Sequence, residues 1–363
     1  MSGTSPTGPE RGPRRTLITP SAGVSRLPKG FRPPGAAAGI LRLDGNEGAL
    51  PDGDLALVLS EHPPTLLSEY PTVRSFEATI AERHAVDPQE VMVGAGADEL
   101  LDRFVRAVLD PSRGVVLTLP TFEMLPRYIA LAGAEAAVVP WMSGPFPIDR
   151  VLAAITPRTA VAAFVSPNNP TGAAAGADDL RRLSAALPNG LVLVDLAYAE
   201  YADEDLTQTA LALPNTVVFR TFSKAWGLAG LRIGYAIGPL EAIDWMRMAG
   251  SPFTANAAGL ALAAAWLERG AAIVRLGVER VKRERRELAG FLEARGAKPL
   301  PSQGNFVLAR FDDAGAVRRA LMARRIAVKE WTNRPELSGY LRITCPGDDV
   351  RFERLLKALG ESL

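Results

Sequence analysis

Short apolar runs alternate with amphipathic stretches along the chain after residue 40. Seven runs have the length and the β-branched content of buried strands. They are residues 91–93, 115–119, 136–139, 161–165, 191–194, 217–219 and 235–237. Apolar residues recur at helical spacing in residues 98–109, 122–132 and 178–187, which lie between several of these runs. The alternation predicts an α/β fold, with a large and mostly parallel sheet that helices cover on both faces.

The pattern changes after residue 255. Helical spacing continues from residue 257 to about residue 295, with apolar positions at Val274, Val278, Val281, Leu288 and Leu292. We interpret the charge run of residues 279–287 as the exposed face of this long helix. Three further strands are then predicted at residues 305–311, 326–329 and 340–344, followed by a helix at residues 350–359. A smaller C-terminal α/β domain is therefore expected.

These patterns predict a flexible leader at residues 1–39, a large domain at residues 40–255 and a small domain at residues 256–363, near which the N-terminal segment packs. The leader holds seven prolines, seven glycines, six basic residues and one acid, Glu10. Such a segment buries too little apolar surface to fold alone. Its positive charges would also suit an arm that binds nucleic acid, but the proline content favours a solvated leader.

Composition narrows the classes of protein that fit. Of the 363 residues, 47% are hydrophobic and 22% are charged, and the net charge is +1, so neither a nucleic-acid nor a membrane partner is expected. The longest apolar run, residues 255–266, is too short to span a membrane, and no signal-peptide pattern is found. A single cysteine, Cys345, fits a reducing compartment, so we expect a cytoplasmic protein. The two histidines, His62 and His84, lie far apart, so no metal site is expected.

One segment places a lysine among hydroxyl groups with an arginine close behind it. Thr221, Ser223 and Lys224 come directly after a predicted strand, and Arg232 follows eight positions later. A lysine in such surroundings suits an imine with an aldehyde cofactor, whose phosphate the hydroxyls and the arginine would hold. Ser-Lys pairs are also common on surfaces, so this segment alone leaves both interpretations open.

Other unusual residues follow predicted strands, where open α/β sheets bind ligands. Asp195 ends an apolar strand, where it would either pair with a cation or cap a helix. Residues 166–172 form a proline-rich turn, and residues 94–99 have the small residues of a phosphate-binding helix start, although Glu99 stands where a dinucleotide fold has its third glycine. Arg342 lies on an apolar strand and would either clamp a carboxylate or face water.

The order of these motifs resembles the class I/II aminotransferases of fold type I, and the histidinol-phosphate aminotransferase branch in particular. The resemblance covers roughly residues 40–360. The motifs are Asn-Glu at 46–47, Tyr-Pro at 70–71, Gly-x-Asp-Glu at 96–99, Pro-Thr-Phe at 120–122, Ser-Pro-Asn-Asn-Pro-Thr-Gly at 166–172, Asp-x-Ala-Tyr at 195–198, Ser-Lys at 223–224 and Leu-Arg-Ile-Thr at 341–344. The large domain would then bind pyridoxal 5′-phosphate.

Carried over by position, the resemblance implies a role for each of these residues. Lys224 would form the Schiff base and move the proton, and Asp195 would hold the pyridine nitrogen protonated. Asn169 and Tyr198 would bond the phenolic oxygen, while Phe122 stacks on the ring. The phosphate would be bound by Gly96, Ala97, Asp98, Thr221, Ser223 and Arg232, and by Tyr70 from the neighbouring subunit of a homodimer. Arg342 would bind the substrate carboxylate, with Asn46, Asn305 and Lys329 nearby.

The chain departs from the family pattern on the substrate side. Lys329 stands where histidinol-phosphate aminotransferases have an arginine that helps to bind the substrate phosphate, and lysine lacks the bidentate fork. Leu196 replaces a glutamate, Phe122 replaces a tyrosine, and Asp44-Gly45 precedes Asn46 in place of Asn-Ala.

Three functions remain in view. The first is an aminotransferase that moves an amino group between an amino acid or amino alcohol and a keto acid. The second is a decarboxylase, or an elimination or replacement enzyme, on the same fold and cofactor. The third is a cofactor-sensing regulator, which would require a DNA-binding domain that residues 1–39 do not provide. The motifs favour the aminotransferase.

Overall fold

The computed structural model describes residues 19–27, 38–49 and 55–363. Residues 1–18 and 28–37 of the predicted leader lie outside the described residues. The strands, in chain order, are β1 Leu41–Leu43, β2 Val91–Gly94, β3 Gly114–Leu119, β4 Glu135–Pro140, β5 Thr159–Val165, β6 Leu191–Asp195, β7 Thr216–Thr221, β8 Gly234–Ile237, β9 Lys298–Pro299, β10 Phe306–Arg310, β11 Ile326–Val328 and β12 Tyr340–Thr344.

The helices alternate with these strands. In chain order they are α1 Ala22–Ser25, α2 Leu55–Ser60, α3 Arg74–His84, α4 Ala97–Val108, α5 Met124–Ala132, α6 Ile148–Ala153, α7 Ala177–Ala186, α8 Thr207–Leu211, α9 Leu240–Met248, α10 Ala257–Arg269, α11 Ala271–Glu293, α12 Ala314–Ala323 and α13 Asp349–Gly360. Short 3₁₀ helices lie at Pro64–Leu67, Pro88–Glu90, Ala199–Tyr201, Ala229–Leu231 and Pro335–Leu337.

The centre of the molecule is a seven-stranded sheet in the order β2-β8-β7-β6-β5-β3-β4. β8 is antiparallel to both of its neighbours, and the pairs from β7 to β4 are parallel. All seven strands that the apolar runs predicted are present, so the predicted mostly parallel sheet is confirmed. Because the parallel strands share one direction, the loops that follow them meet at one edge of the sheet.

Helices cover both faces of this sheet. Along β5, Val161, Ala163 and Val165 pack into one apolar cluster, and Ala162 and Phe164 pack into another on the opposite side. The first cluster includes residues of α4, α5 and α9, and the second includes residues of α6, α7 and α8. A strand that is buried on both faces has no polar alternation, which explains the continuous apolar runs of the sequence.

β4 differs from the prediction of a buried strand. It is an edge strand, paired with β3, and Val138 is 47% exposed. Val139 is buried, because one face of β4 still packs on the core. A short apolar run does not distinguish an edge strand from a central one, so the pattern found the strand but not its exposure.

The C-terminal part is built on an antiparallel sheet in the order β12-β10-β9, which contacts α11 and α12, and α13 packs on these two helices. β1 lies apart from the large sheet and pairs in parallel with β11. Leu41 is opposite Ile326, and Leu43 is opposite Val328. The small domain, with its boundary at residue 256 and the N-terminal segment packing near it, stays a prediction.

The long helix predicted from residue 257 to about residue 295 is wrong as one element. Gly270 separates α10 from α11, and the two helices are bent by 83°. Glycine weakens a helix because it has no side chain to restrict its backbone. A Cβ atom at Gly270 would also lie 2.6 Å from the Trp266 carbonyl oxygen, which an L side chain would have to displace.

The charge run on α11 is not wholly an exposed face. Glu284 and Arg285 are buried, whereas Arg283, Arg286 and Glu287 are exposed. Glu284 accepts a hydrogen bond from the backbone N–H of Gly347, at 2.8 Å, and Arg285 donates to the Gly304 carbonyl oxygen at 2.9 Å. Both side chains face backbone groups of neighbouring loops, so the apolar spacing of the helix did not indicate their burial.

Within the described ranges, no single helix has the length and apolar content to cross a membrane. α10 and α11 pass that test only when taken together, by length and composition, across their bend. The same part of the chain contains no group of three or more His, Cys, Asp and Glu side chains placed to hold a metal ion.

Candidate active site

A cavity of about 280 Å³ lies at the edge of the sheet where the parallel strands end. Loops after β3, β5, β6 and β7, the start of α4 and the segment after β11 line it. It brings together twelve predicted site residues: Ala97, Asp98, Phe122, Asn169, Asp195, Tyr198, Thr221, Ser223, Lys224, Arg232, Lys329 and Arg342. Residues from six separate stretches of sequence therefore share one site.

Lys224 lies three residues beyond the end of β7 and is half-buried. Its Nζ atom donates to the Gly45 carbonyl oxygen at 3.2 Å and lies 5.7 Å from the centre of the Tyr198 ring. Both contacts are with neutral groups, so the ammonium group is not held in an ion pair within the described residues. A lysine at the wall of a cavity, free to change partners, can reach an aldehyde placed there.

Asp195 ends β6 and is 6% exposed. Burial raises the pKa of its carboxyl group to about 6, although a hydrogen bond from the Ala197 N–H, at 3.1 Å, works against this shift. The hydrogen bond to Ala197 is of the kind that a helix-capping aspartate makes, which was one of the two roles considered for Asp195. The same side chain also lines the cavity. A buried acid with a raised pKa is stabilised by a cation, and a protonated ring nitrogen would supply one.

The start of α4 also lines the cavity. Gly96 precedes the helix with φ +83°, a left-handed conformation that L side chains rarely adopt, and a Cβ atom there would lie 2.7 Å from Nη2 of Arg232. Arg232 also donates to the Ser223 hydroxyl at 3.2 Å. Free backbone N–H groups, a hydroxyl and a guanidinium thus converge, which is the donor set that a phosphate requires.

Asp98 lies on the first turn of α4 and also lines the cavity. Burial raises the pKa of its carboxyl group, and the nearby charges of Arg232 and Lys224 oppose this effect. The Tyr128 hydroxyl donates to it over a long 3.4 Å.

Phe122, Asn169 and Tyr198 also line the cavity. Asn46, which lies outside the cavity lining, donates from Nδ2 to the Tyr198 hydroxyl at 3.0 Å and accepts from Thr344 at 2.8 Å. Asn305 donates to the Asn46 carbonyl oxygen at 3.2 Å and is fully buried. Asn46 and Asn305 therefore hold Tyr198 and its surroundings, and neither of them lines the cavity.

Arg342 is buried at 6% exposure, so the alternative of an arginine facing water is wrong. One of its amino groups donates to the Asp44 carbonyl oxygen at 2.6 Å, and the other donates to the side-chain oxygen of Asn169. Burial lowers the pKa of the guanidinium. A buried cation whose hydrogen-bond partners are neutral oxygens gains stability when an anion arrives.

The cavity lining also contains Glu123, Trp331 and Arg334, which the sequence motifs did not predict. Glu123 forms an ion pair with Lys329, with Oε1 3.3 Å from Nζ. Trp331 is buried, and Arg334 donates to the Thr121 carbonyl oxygen at 3.1 Å. Glu123 directly follows the Pro-Thr-Phe motif and Arg334 lies between two predicted strands, so position offered a signal that the motif pattern did not use.

Tyr70 lies outside the cavity of its own chain. It is 81% exposed and stacks on Phe253, with ring centres 4.6 Å apart. Its predicted role depends on a second subunit, so the geometry of one chain leaves that role as a prediction.

Taken together, the fold and the cavity have the features of an α/β enzyme that uses a phosphorylated aldehyde cofactor. The sequence profile of the family described as aminotransferase class I and II matches residues 39–359. The chain therefore belongs to this family. It is a pyridoxal phosphate-dependent aminotransferase of fold type I, and it acts on small-molecule amino and keto substrates.

Several relatives support the histidinol-phosphate aminotransferase branch. Histidinol-phosphate aminotransferase 2 of Pseudomonas aeruginosa is 35% identical over 348 residues, covering 90% of each chain. The histidinol-phosphate aminotransferase of Paracoccus denitrificans is 32% identical over 362 residues, covering 96% of each. The crystal structure of the Sinorhizobium meliloti enzyme in complex with pyridoxal 5′-phosphate is 25% identical, with a TM-score of 0.79, covering 89% of this chain and 90% of that one. Nothing in these relatives favours the decarboxylase or replacement alternative.

Proposed function

We propose that this aminotransferase takes a primary α-amino acid as its amino donor, holds the substrate carboxylate on Arg342 and transfers the amino group through Lys224. The observation that supports this proposal is the shared cavity. Lys224, Asp195, Arg232 and Arg342 line the same 280 Å³; Arg232 bonds Ser223, whereas Arg342 bonds Asp44 and Asn169. Two arginines with different surroundings and one lysine in a single cavity fit the phosphate of a cofactor and the carboxylate of an amino acid.

The bound cofactor supplies an electron-withdrawing ring that takes up negative charge from the substrate α-carbon. Asp195 would keep the ring nitrogen protonated, and its raised pKa as a lone buried acid supports this pairing. Phe122 would lie against the ring, and Asn169 and Tyr198 would bond its phenolic oxygen. Gly96, Ala97, Asp98, Thr221, Ser223 and Arg232 would hold the phosphate. Lys224 would take the proton from the substrate α-carbon on its Nζ atom and act as the acid–base group of the site.

The substrate would bind in the part of the cavity around Arg342. Arg342 orients the carboxylate, and the hydrogen bonds from Asn46 and Asn305 keep Tyr198 in place. Histidinol phosphate, the substrate named for the relatives, is an amino alcohol without that carboxylate. Lys329, in place of the arginine of that branch, supports the choice of an amino acid over this phosphorylated amino alcohol.

We also propose a homodimer in which Tyr70 reaches the cofactor phosphate of the neighbouring subunit. The exposure of Tyr70 and Leu67, both 81%, and of Phe253, 51%, supports an apolar interface in this region. For the compartment we propose the cytoplasm, because the buried Cys345 is free and fits reducing conditions.

The proposed reaction is tested with purified holoenzyme and a panel of amino donors that includes histidinol phosphate. An accepted donor converts the cofactor to its aminated form, seen by absorbance, and yields an equal amount of keto product by mass spectrometry. Release of carbon dioxide or of a leaving group without keto product would contradict transamination.

Lys224→Ala tests the assigned lysine. We expect the rate of amino-group transfer to fall by at least about 10³-fold, because the variant loses both the anchor of the cofactor and the proton carrier. Lys298→Ala, on the exposed strand β9, is the matched control and should keep the wild-type rate. A Lys224→Ala variant with wild-type absorbance changes and rate would refute the assignment.

A further inference from the structure

The cations around the cavity differ in their hydrogen-bond partners, which are neutral oxygens for some and carboxylates for others. Arg342 is bound by neutral oxygens, the Asp44 carbonyl at 2.6 Å and the Asn169 amide, and burial lowers its pKa. An incoming carboxylate would remove the cost of this buried charge. Arg342 thus gains more from binding an anion than a cation that is already paired with an acid.

Lys329 and Arg334 are already paired with acids. Nζ of Lys329 lies 3.3 Å from the carboxylate of Glu123, and Nε of Arg334 lies 2.9 Å from the carboxylate of Glu336. Arg334 also donates to the Thr121 carbonyl oxygen. An anionic group bound at this end would have to replace an existing partner, so it would gain less than the charges alone indicate.

Glu123 brings a negative charge to the same end of the cavity. It follows Phe122 directly, its side chain is 33% exposed, and it lines the cavity together with Lys329 and Trp331. Trp331 forms a flat wall, with Nζ of Lys329 5.6 Å and Cζ of Arg342 5.6 Å from its ring centre. A substrate side chain that extends along this wall from Arg342 towards Lys329 approaches the carboxylate of Glu123.

We propose that Glu123 is a specificity-determining residue of this aminotransferase. Held by Lys329, its carboxylate accepts hydrogen bonds from the far end of the substrate and repels a negative charge there. The substrate class is an α-amino acid whose side chain ends in a hydrogen-bond donor, such as an amide, imidazole, ammonium or guanidinium group, and not in a carboxylate or phosphate. The assignment rests on the proposed function, because it takes Arg342 as the site of the α-carboxylate.

Glutamine and glutamate form a matched pair of donors for the test, because they have nearly the same shape and differ in the charge of the side-chain end. Holoenzyme is converted to its aminated form by each donor, which becomes the keto product, in a single turnover. Cofactor absorbance then gives the maximal rate constant and the half-saturation concentration separately, and these are taken as kcat and KM. We expect the wild type to prefer glutamine in kcat/KM. Glu123→Gln should shift the glutamine-to-glutamate ratio about tenfold towards glutamate, through a lower KM for glutamate with little change in kcat.

Two further variants separate this role from a general effect of charge. Glu279→Gln removes a carboxylate on the exposed side of α11, far along the chain, and should leave the ratio unchanged. Lys329→Met leaves Glu123 without its cation and should raise the KM for glutamate further, by about tenfold. Norleucine, a neutral donor, measures in each variant the change in kcat/KM that is common to all donors, and the values for glutamine and glutamate are compared with it.

The outcomes that overturn the inference are distinct. An unchanged ratio in Glu123→Gln, or a higher KM for glutamate, would mean that Glu123 only positions Lys329 to bind an anion. If the wild type transferred no amino group from any donor, the proposed function would fail. The dissociation constants of glutamine and glutamate, measured from the absorbance of the bound cofactor, would then test the specificity without turnover. If neither amino acid bound, the inference about Glu123 would be overturned.

Discussion

Asp195 shows how one residue ties the fold to the chemistry. It ends a strand whose other residues are apolar, and it stays in contact with the cavity at 6% exposure. Burial raises its pKa to about 6, so in the protein alone its charge is costly near neutral pH. A cationic ring nitrogen in the cavity would stabilise the ionised carboxylate of Asp195 and so offset the cost of burying its charge.

Asp195→Asn is expected to lower the rate of amino-group transfer about 10²-fold or more, because an amide does not stabilise a protonated ring nitrogen. The affinity for pyridoxal phosphate should fall as well, and titration of the apoenzyme by absorbance measures it separately from turnover. Asp195→Glu, which keeps the charge, should recover part of the rate. Wild-type rate and affinity in Asp195→Asn would exclude the pairing.

The residues of the cofactor end follow strands in the sequence, and so they were predictable. Lys224, Asp195 and Asn169 each come within four residues of a strand end, where the apolar pattern itself marks a binding edge. Glu123 and Arg334 were missed because their role depends on which loops meet in space. The family pattern predicts Asn46 and Asn305 near the substrate, but neither residue lines the cavity. Asn46 instead donates a hydrogen bond to Tyr198, and Asn305 donates one to the backbone of Asn46.

At the scale of elements, periodicity located most strands and helices but gave less information about their surroundings. It predicted β4 without its edge position, and it continued one helix through Gly270. Both errors have the same origin, because a local pattern does not contain the packing partner. On α11, Glu284 and Arg285 belong to a charge run and are nevertheless buried, since loops at Gly304 and Gly347 supply backbone partners.

Glu284 gives α11 a dependence on pH. Burial raises the pKa of its carboxyl group to about 7, while the N–H groups of Gly347 and Asp348 oppose the shift. The folded protein therefore holds a proton on Glu284 that the unfolded chain releases between about pH 4.5 and pH 7. The free energy of unfolding decreases as the pH rises through this interval, by an amount on the order of 2 kcal/mol.

Glu284→Gln should remove this contribution. We expect the Tm of the variant to exceed that of the wild type by about 3 °C at about pH 9, and the difference to disappear at about pH 4. Thermal unfolding of the holoenzyme across this range measures it. Glu287→Gln, at an exposed position of the same helix, is the control and should show no such trend. Equal Tm differences for Glu284→Gln at both ends of the range would disprove the assignment.

At the scale of the whole molecule, the exposed aromatic pair Tyr70 and Phe253 has a consequence for assembly. Their rings stack 4.6 Å apart on the surface, away from the cavity of their own chain. If Tyr70 completes the phosphate site of a second subunit, two defective chains can repair one another, because each site draws on both chains.

Mixed dimers test this arrangement. Tyr70→Ala is expected to lower the affinity for pyridoxal phosphate about tenfold, and Lys224→Ala to be inactive. Equal amounts of the two variants are refolded together and assayed at a limiting pyridoxal phosphate concentration at which Tyr70→Ala alone is nearly empty. They should regain about a quarter of the wild-type activity at that concentration, because half of the dimers are mixed and each mixed dimer has one complete site. Light scattering verifies the dimer. Absence of any recovery would mean that Tyr70 does not contribute to the phosphate site of the neighbouring subunit.

The hydrogen bond from Arg342 to Asp44 joins residues 298 positions apart, and β1 and β11 pair across a similar distance. During synthesis on the ribosome, the strands that carry Asp195 and Lys224 emerge long before the segment that contains Arg342. The end of the cavity that selects the substrate is thus the last to be assembled, and it closes only when the first and last parts of the fold find each other. A nascent chain halted between residues 237 and 326 would carry the lysine and the acid with no substrate clamp.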